Sequence, residues 1–79
     1  MQITNKVKGL LQIRGKKNVE LASYLGITVQ SLANKFNRGS FSAADLIKIA
    51  DFLDCELSFI LPDNQRIQLT TDDLREIDK

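Results

Sequence analysis

The chain has 79 residues, 43% of them apolar and 27% charged, which is typical of one small globular domain and not of a disordered chain. Its net charge of +1 is unevenly divided along the chain. Residues 1–40 hold seven Lys or Arg and one Glu, whereas residues 41–79 hold four Lys or Arg and nine Asp or Glu. Only the first half therefore has the charge to bind a polyanion. Because no apolar run approaches the roughly 18 residues of a membrane span and no signal-peptide pattern opens the chain, we expect a cytoplasmic protein that does not bind membranes.

The first two predicted helices are short and amphipathic. Thr4 can cap the first helix, and Gly15 ends it. Asn18 can cap the second helix, and Gly26 follows it at the position where a left-handed residue is favoured. The apolar residues that we expect to face the core are Val7, Leu10, Leu11, Leu21, Ala22 and Leu25.

The third predicted helix has two different sides. Thr28 can cap it, Gly39 ends it, and residues placed at 100° intervals separate an apolar side from a polar one. The apolar side consists of Val29, Leu32, Ala33 and Phe36, and the polar side of Gln30, Ser31, Asn34, Lys35 and Arg38. A polar face is usually just solvated, but this one has no acidic residue and lies in the basic half, which favours a face that contacts DNA.

A fourth helix and a hairpin complete the predicted order. Ser42 and Asp45 form a capping box, after which the buried positions are Leu46, Ile49, Ala50 and Leu53. Beyond Asp54 the apolar period changes from helical to alternating, which predicts a strand containing Leu57, Phe59 and Leu61. Residues 62–64 suit a three-residue turn, and residues 65–69 return with Phe59 opposite Ile67.

The hairpin needs a surface to pack on, because a two-stranded hairpin alone is barely stable in water. We expect Leu57, Phe59 and Leu61 to pack mainly on this chain's own helices, with Ile60 and Leu69 left for a partner. After the hairpin, residues 71–73 can cap one last short helix through Leu74 and Ile77, although a frayed tail fits the same residues.

Residues 19–61 resemble the Xre-type helix-turn-helix domains of phage repressors, Cro proteins and bacterial regulators. The pattern consists of Asn18, Glu20, Leu21, Ala22, Leu25, Gly26, Ile27, Thr28, Leu32, Phe36, Arg38, Gly39, Leu46, Ile49, Ala50 and Leu53. The resemblance implies a mainly α fold, with a four-helix lambda-repressor-like domain at residues 1–54. Residues 55–79 are then a β-hairpin and short tail, packed on the same domain or at a dimer interface, in place of the family's usual fifth helix.

The resemblance also implies which residues contact DNA, since in such domains the third helix reads bases and the start of the second grips a phosphate. The implied base readers are Gln30, Ser31, Asn34 and Lys35. The implied phosphate-binding residues are Asn18, Lys16, Lys17, Thr28, Arg38 and Ser40. Side-chain chemistry agrees, because Gln and Asn can bond bidentately to adenine and Lys to the acceptors of guanine. We expect Lys6 and Lys8 to be only solvated.

These features predict a sequence-specific binder of double-stranded DNA, a transcriptional regulator and more specifically a repressor. We expect a homodimer on a pseudo-palindrome, with the 55–70 hairpin as one candidate interface. The alternative is an antitoxin or adaptor whose acidic half binds a basic protein such as a toxin.

Catalysis and cofactors are not expected. The chain has no histidine, no paired carboxylates at catalytic spacing and no glycine-rich phosphate loop. Because it also has only one cysteine, Cys55, a zinc site of nitrogen and sulfur ligands is excluded. We expect Cys55 to be a small buried residue, with an intermolecular disulfide or a redox switch as the alternative.

Overall fold

The computed structural model describes residues 2–74, in which four helices precede a two-stranded antiparallel hairpin. The elements are α1 (Gln2–Ile13), α2 (Asn18–Leu25), α3 (Val29–Arg38), α4 (Ala43–Phe52), β1 (Leu57–Ile60), β2 (Arg66–Leu69) and a 3₁₀ turn at Thr71–Asp73. The predicted fold, mainly α with a C-terminal hairpin, is confirmed. No helix within residues 2–74 is long and apolar enough to cross a membrane.

The ends of α3 and α4 form as their local sequence predicts. The Thr28 hydroxyl accepts a hydrogen bond from the Ser31 backbone N–H at 3.0 Å, which satisfies one of the free donors at the start of α3. At the start of α4, Ser42 and Asp45 each accept from the other's backbone N–H, at 3.0 and 3.1 Å. Gly26, between α2 and α3, has a φ of +73°, so the predicted left-handed turn is present.

The predicted caps of α1 and α2 are wrong. Thr4 lies inside α1, and its buried hydroxyl donates to the Phe36 carbonyl of α3 at 2.7 Å instead of capping its own helix. Asn18 is the first residue of α2 rather than its cap. The cap position belongs to Lys17, whose backbone N–H donates to the Glu20 carboxylate at 2.9 Å.

All four helices contribute to the core. Its buried members are Val7, Leu11, Leu21, Ala22, Leu32, Phe36, Ile49 and Leu53. Two residues that the sequence predicts to be in the core are exposed instead, Leu10 to 38% and Val29 to 50%. The buried side of α1 consists instead of Thr4, Val7 and Leu11.

The hairpin has the predicted register but fewer helix contacts than predicted. Leu57 pairs with Leu69 and Phe59 with Ile67, and Asn64 in the turn has a φ of +68°. Leu57 and Leu69 are half-buried and line an apolar groove that also includes Leu46 of α4. Phe59 borders the same groove but is 65% exposed, and Leu61 is 38% exposed, so the predicted packing on this chain's own helices is confirmed for Leu57 and is only partial at Phe59. Leu69, predicted to be left for a partner, is half-buried within this chain.

Cys55 is exposed, so its predicted burial is also wrong. It lies in the connection between α4 and β1, where its backbone N–H donates to the Ala50 carbonyl at 3.0 Å. The predicted last helix is represented by the turn at Thr71–Asp73, and Ile77 lies outside the described residues.

Candidate DNA interface

The candidate interface is the polar face of α3, defined here as Gln30, Ser31, Asn34, Lys35 and Arg38. Four of these five side chains are exposed, the exception being Lys35. The opposite side of the helix is fixed in the core by Leu32 and Phe36, which are 1% and 5% exposed. A rigid helix therefore presents amide, hydroxyl and guanidinium groups to solvent.

Hydrogen bonds within the polar face leave most of its donors and acceptors available. The Gln30 side-chain amide donates to the Asn34 side-chain carbonyl at 3.4 Å, which is long for such a bond and correspondingly weak. The Thr28 hydroxyl donates to the Ser31 hydroxyl at 3.0 Å, so Ser31 keeps its own hydrogen as a donor. The Thr28 hydroxyl therefore already makes two hydrogen bonds, one to the Ser31 backbone N–H and one to the Ser31 hydroxyl.

The start of α2 flanks one side of the polar face. Asn18 lines a shallow surface pocket with Ala33 and Asn37 of α3, and Lys8 of α1 lies at the same pocket. The Lys8 ammonium is 5.3 Å from the centre of the Phe36 ring, a distance typical of a cation–π contact. The structure therefore brings Asn18 next to α3, as the prediction requires, and adds a cation to that edge.

The start of α4 flanks the other side, through an ion pair. The Lys35 ammonium lies 2.9 Å from Oδ2 of Asp45, and the two side chains are 29% and 18% exposed. Burial by itself would raise the pKa of Asp45, but hydrogen bonds from Lys35 and the Ser42 backbone outweigh it and lower that pKa. Asp45 is thus a fixed anion beside a face that itself has no acidic residue.

The remaining predicted phosphate ligands are not equivalent in the structure. Lys17, Arg38 and Ser40 are exposed, and Arg38 forms no ion pair with any residue of 2–74. The Lys16 ammonium, by contrast, lies 5.5 Å from the centre of the Phe52 ring at the end of α4. Lys16 is therefore directed toward α4 and not toward the polar face.

Sequence reasoning missed two residues at this surface. The sequence identifies Asp45 only as a helix cap, because nothing local indicates a partner ten residues earlier on another helix. The sequence predicts Lys8 to be only solvated, because its proximity to Asn18 and Asn37 depends on how α1 packs across the other helices. No group of acidic or cysteine side chains within residues 2–74 is arranged to hold a metal ion.

Comparison with known protein families gives a match. Residues 5–68, more than half of the chain, match the family model of the bacteriophage CI repressor helix-turn-helix domain. No curated protein and no solved structure matches the chain at a significant level.

Proposed function

The chain belongs to the bacteriophage CI repressor helix-turn-helix domain family, and on this premise we propose that it represses transcription by placing α3 in the major groove of an operator. Family membership supports a DNA-binding regulatory role, and the family itself is one of DNA-binding domains rather than enzymes. Residues 1–54 are the DNA-binding domain in this proposal, and the remainder serves dimerisation.

The observation that best supports this proposal is the polar face of α3. It lies between the starts of α2 and α4 and exposes groups that match base edges. The major groove admits an α-helix, and each base pair presents a distinct pattern of donors and acceptors there. A face that was merely solvated would need neither the match to base edges nor the absence of acidic residues.

Base readout is assigned to the side chains that project from this face. Gln30 and Asn34 each have an amide that can bond bidentately to adenine, and exchanging their weak mutual bond for base contacts costs little. Ser31 donates its free hydroxyl hydrogen to an acceptor on a base edge. Lys35 contacts the acceptors of guanine, for which it must leave Asp45.

Phosphate contacts surround the base readers. Asn18 and Lys17 at the start of α2 hold one strand, helped by the free backbone N–H groups of that helix end. Arg38 and Ser40 at the end of α3 hold the other strand. We add Lys8 to the first group because of its position beside Asn18, and expect Thr28 and Lys16 to contribute less because both are engaged within the protein.

A homodimer is proposed because the hairpin leaves apolar surface uncovered. Phe59, Ile60 and Ile67 are 65%, 69% and 58% exposed, and both edges of the two-stranded sheet lack a neighbouring strand within residues 2–74. Exposed strand edges and apolar patches both favour association. A second copy packed on this hairpin would bring two α3 helices into one assembly, and in the family's usual arrangement such helices meet half-sites about 34 Å apart.

Selecting bound sites from a random duplex library tests the proposal. We expect enrichment of a pseudo-palindrome whose half-sites are about one helical turn apart. Enrichment of no sequence, together with binding that does not depend on salt, would contradict DNA reading. That result would favour an adaptor that binds a basic protein through its acidic half.

A further inference from the structure

In the ion pair between Lys35 and Asp45, the long Lys35 side chain can change its conformation, whereas the Asp45 side chain is held in place. Asp45 accepts from the Ser42 backbone N–H at 3.1 Å while it binds Lys35, and a carboxylate at the start of α4 is also favoured by the helix dipole. Lys35 ends in an ammonium on a flexible four-carbon chain with no second partner among residues 2–74. When the pair separates, Lys35 moves and Asp45 stays in place.

Separation has a cost because the pair is half-buried, with side-chain exposures of 29% and 18%. Removing one partner from such a pair leaves a charge that is poorly solvated where it remains. Lys35 therefore leaves Asp45 readily only when it gains comparable interactions elsewhere. Arg38, which has no such partner among residues 2–74, contacts any phosphate within reach.

We propose that Asp45 is a specificity-determining residue. It keeps Lys35 in the ion pair and away from DNA, except at a guanine, whose two adjacent acceptors can replace the carboxylate as the partner of Lys35. This inference rests on the proposed role of α3 in base reading. Guanine presents O6 and N7 together in the major groove, whereas adenine pairs N7 with a donor and thymine presents O4 beside a methyl group. Asp45 acts on recognition through Lys35 and contacts no base itself.

The proposal has two measurable consequences. Without the Asp45 charge, Lys35 is free to contact any sequence, so affinity for wrong sequences increases more than affinity for the operator. The ratio of the two affinities should then fall by up to about 10-fold, which is the scale of one good contact to a base. Binding to wrong sequences should also depend more steeply on salt, by roughly one unit of slope, because one more cation meets the phosphates.

The test uses Asp45→Asn, which removes the charge but keeps an oxygen that can accept from the Ser42 N–H. Circular dichroism melting checks that α4 and the fold are retained. Fluorescence anisotropy then measures the affinity of the full chain for two duplexes over a range of salt concentrations. One is the selected operator, and the other differs from it at the base pair most affected by Lys35→Ala.

A double-mutant cycle identifies the route of the effect. In the Lys35→Ala background, Asp45→Asn should leave the ratio of the two affinities unchanged, because the cation that it controls is gone. An equal effect in both backgrounds would mean that Asp45 merely repels phosphate, and would overturn the proposal. So would an Asp45→Asn variant that binds both duplexes more weakly, since Asp45 would then be holding Lys35 in its binding position.

A panel of operators, each altered at one base pair, separates failure of this inference from failure of the proposed function, because Gln30 and Lys35 need not read the same base pair. Gln30→Ala is measured beside the other variants. If Gln30→Ala changes sequence preference and Asp45→Asn does not, only the inference about Asp45 is wrong. If neither Gln30→Ala nor Lys35→Ala changes preference, α3 does not read bases and both proposals fail.

Discussion

Two threonine hydroxyls hold α3, one at each end. Thr28 satisfies a backbone N–H at the start of the helix, as its position predicts. Thr4, on α1, donates to the carbonyl of Phe36, which is one of the last four carbonyls of α3 and therefore lacks a donor from its own helix. The side chains of α1 thus help to fix the orientation of the helix that we assign to base reading.

Thr4→Val should lower the free energy of unfolding by about 1–2 kcal/mol, because the shape is kept while the buried Phe36 carbonyl loses its donor. Urea unfolding measures the change. Thr4→Ser, which keeps the hydroxyl, is the matched control and should lose less. If Thr4→Val cost no more than Thr4→Ser, the hydrogen bond to Phe36 would not be the main contribution of Thr4 to stability.

The ion pair of Asp45 should also be visible in the pH dependence of stability. Because folding lowers the pKa of Asp45, its contribution is complete above the unfolded value of 3.8 and is lost as pH falls through the folded value. The free energy of unfolding of the natural chain should therefore fall more than that of Asp45→Asn between about pH 5 and pH 2. Thermal melting over this range measures the difference, and parallel losses in the two proteins would contradict the assignment.

At the scale of elements, the turn between α2 and α3 depends on the backbone conformation of Gly26. An added Cβ would meet no atom within 4 Å, so a substitution there tests conformation and not space. With a φ of +73°, Gly26→Ala should lower the free energy of unfolding by about 1–2 kcal/mol. Guanidinium unfolding gives this value.

Gly9 supplies the matched control for this prediction. It lies within α1 and also has nothing within 4 Å of an added Cβ. Gly9→Ala should raise the free energy of unfolding by about 0.5–1 kcal/mol, because alanine is the better helix former. Equal effects of the two substitutions would show that the left-handed conformation of Gly26 is not what the turn requires.

Several features with local causes were predictable from the sequence, although the local cap signals at Thr4 and Asn18 were misleading. Helix caps at Thr28 and Ser42, the left-handed Gly26 and the turn at residues 62–64 each depend on a few neighbouring residues, and all four are present. The role of Thr4 was not predictable, because its acceptor lies 32 residues away. Exposure of Phe59 and Cys55 depends on how far the hairpin extends past α4, which alternation along a strand does not determine.

The sequence predicts which residues share the polar face of α3, but not which contacts these residues make with other elements. Helical spacing placed Gln30, Ser31 and Asn34 on one exposed side, and the structure agrees. The same spacing could not reveal that Lys35 is paired with Asp45 or that Lys16 lies over Phe52. Both contacts join different elements, so they follow from the packing of the whole chain.

At the scale of the whole molecule, the hairpin should decide the oligomeric state. Phe59→Ser combined with Ile67→Ser removes the two exposed apolar side chains that pair across β1 and β2. Sedimentation equilibrium should then give a monomer where the natural chain gives a dimer. Ile13→Ser is the control, because Ile13 is 79% exposed on α1 and should not affect association. A dimer that survives the hairpin substitutions would place the interface elsewhere.

The most direct test of base reading by α3 is the affinity of Gln30→Ala for a panel of operators, each altered at one base pair. Gln12→Ala, on the exposed side of α1, is the matched control. Gln30→Ala should relax the preference at one position by about 1–3 kcal/mol and leave the others unchanged, while Gln12→Ala changes none. If Gln30→Ala weakened binding to every operator equally, or had no effect, Gln30 would not read a base and α3 would not be placed as we propose.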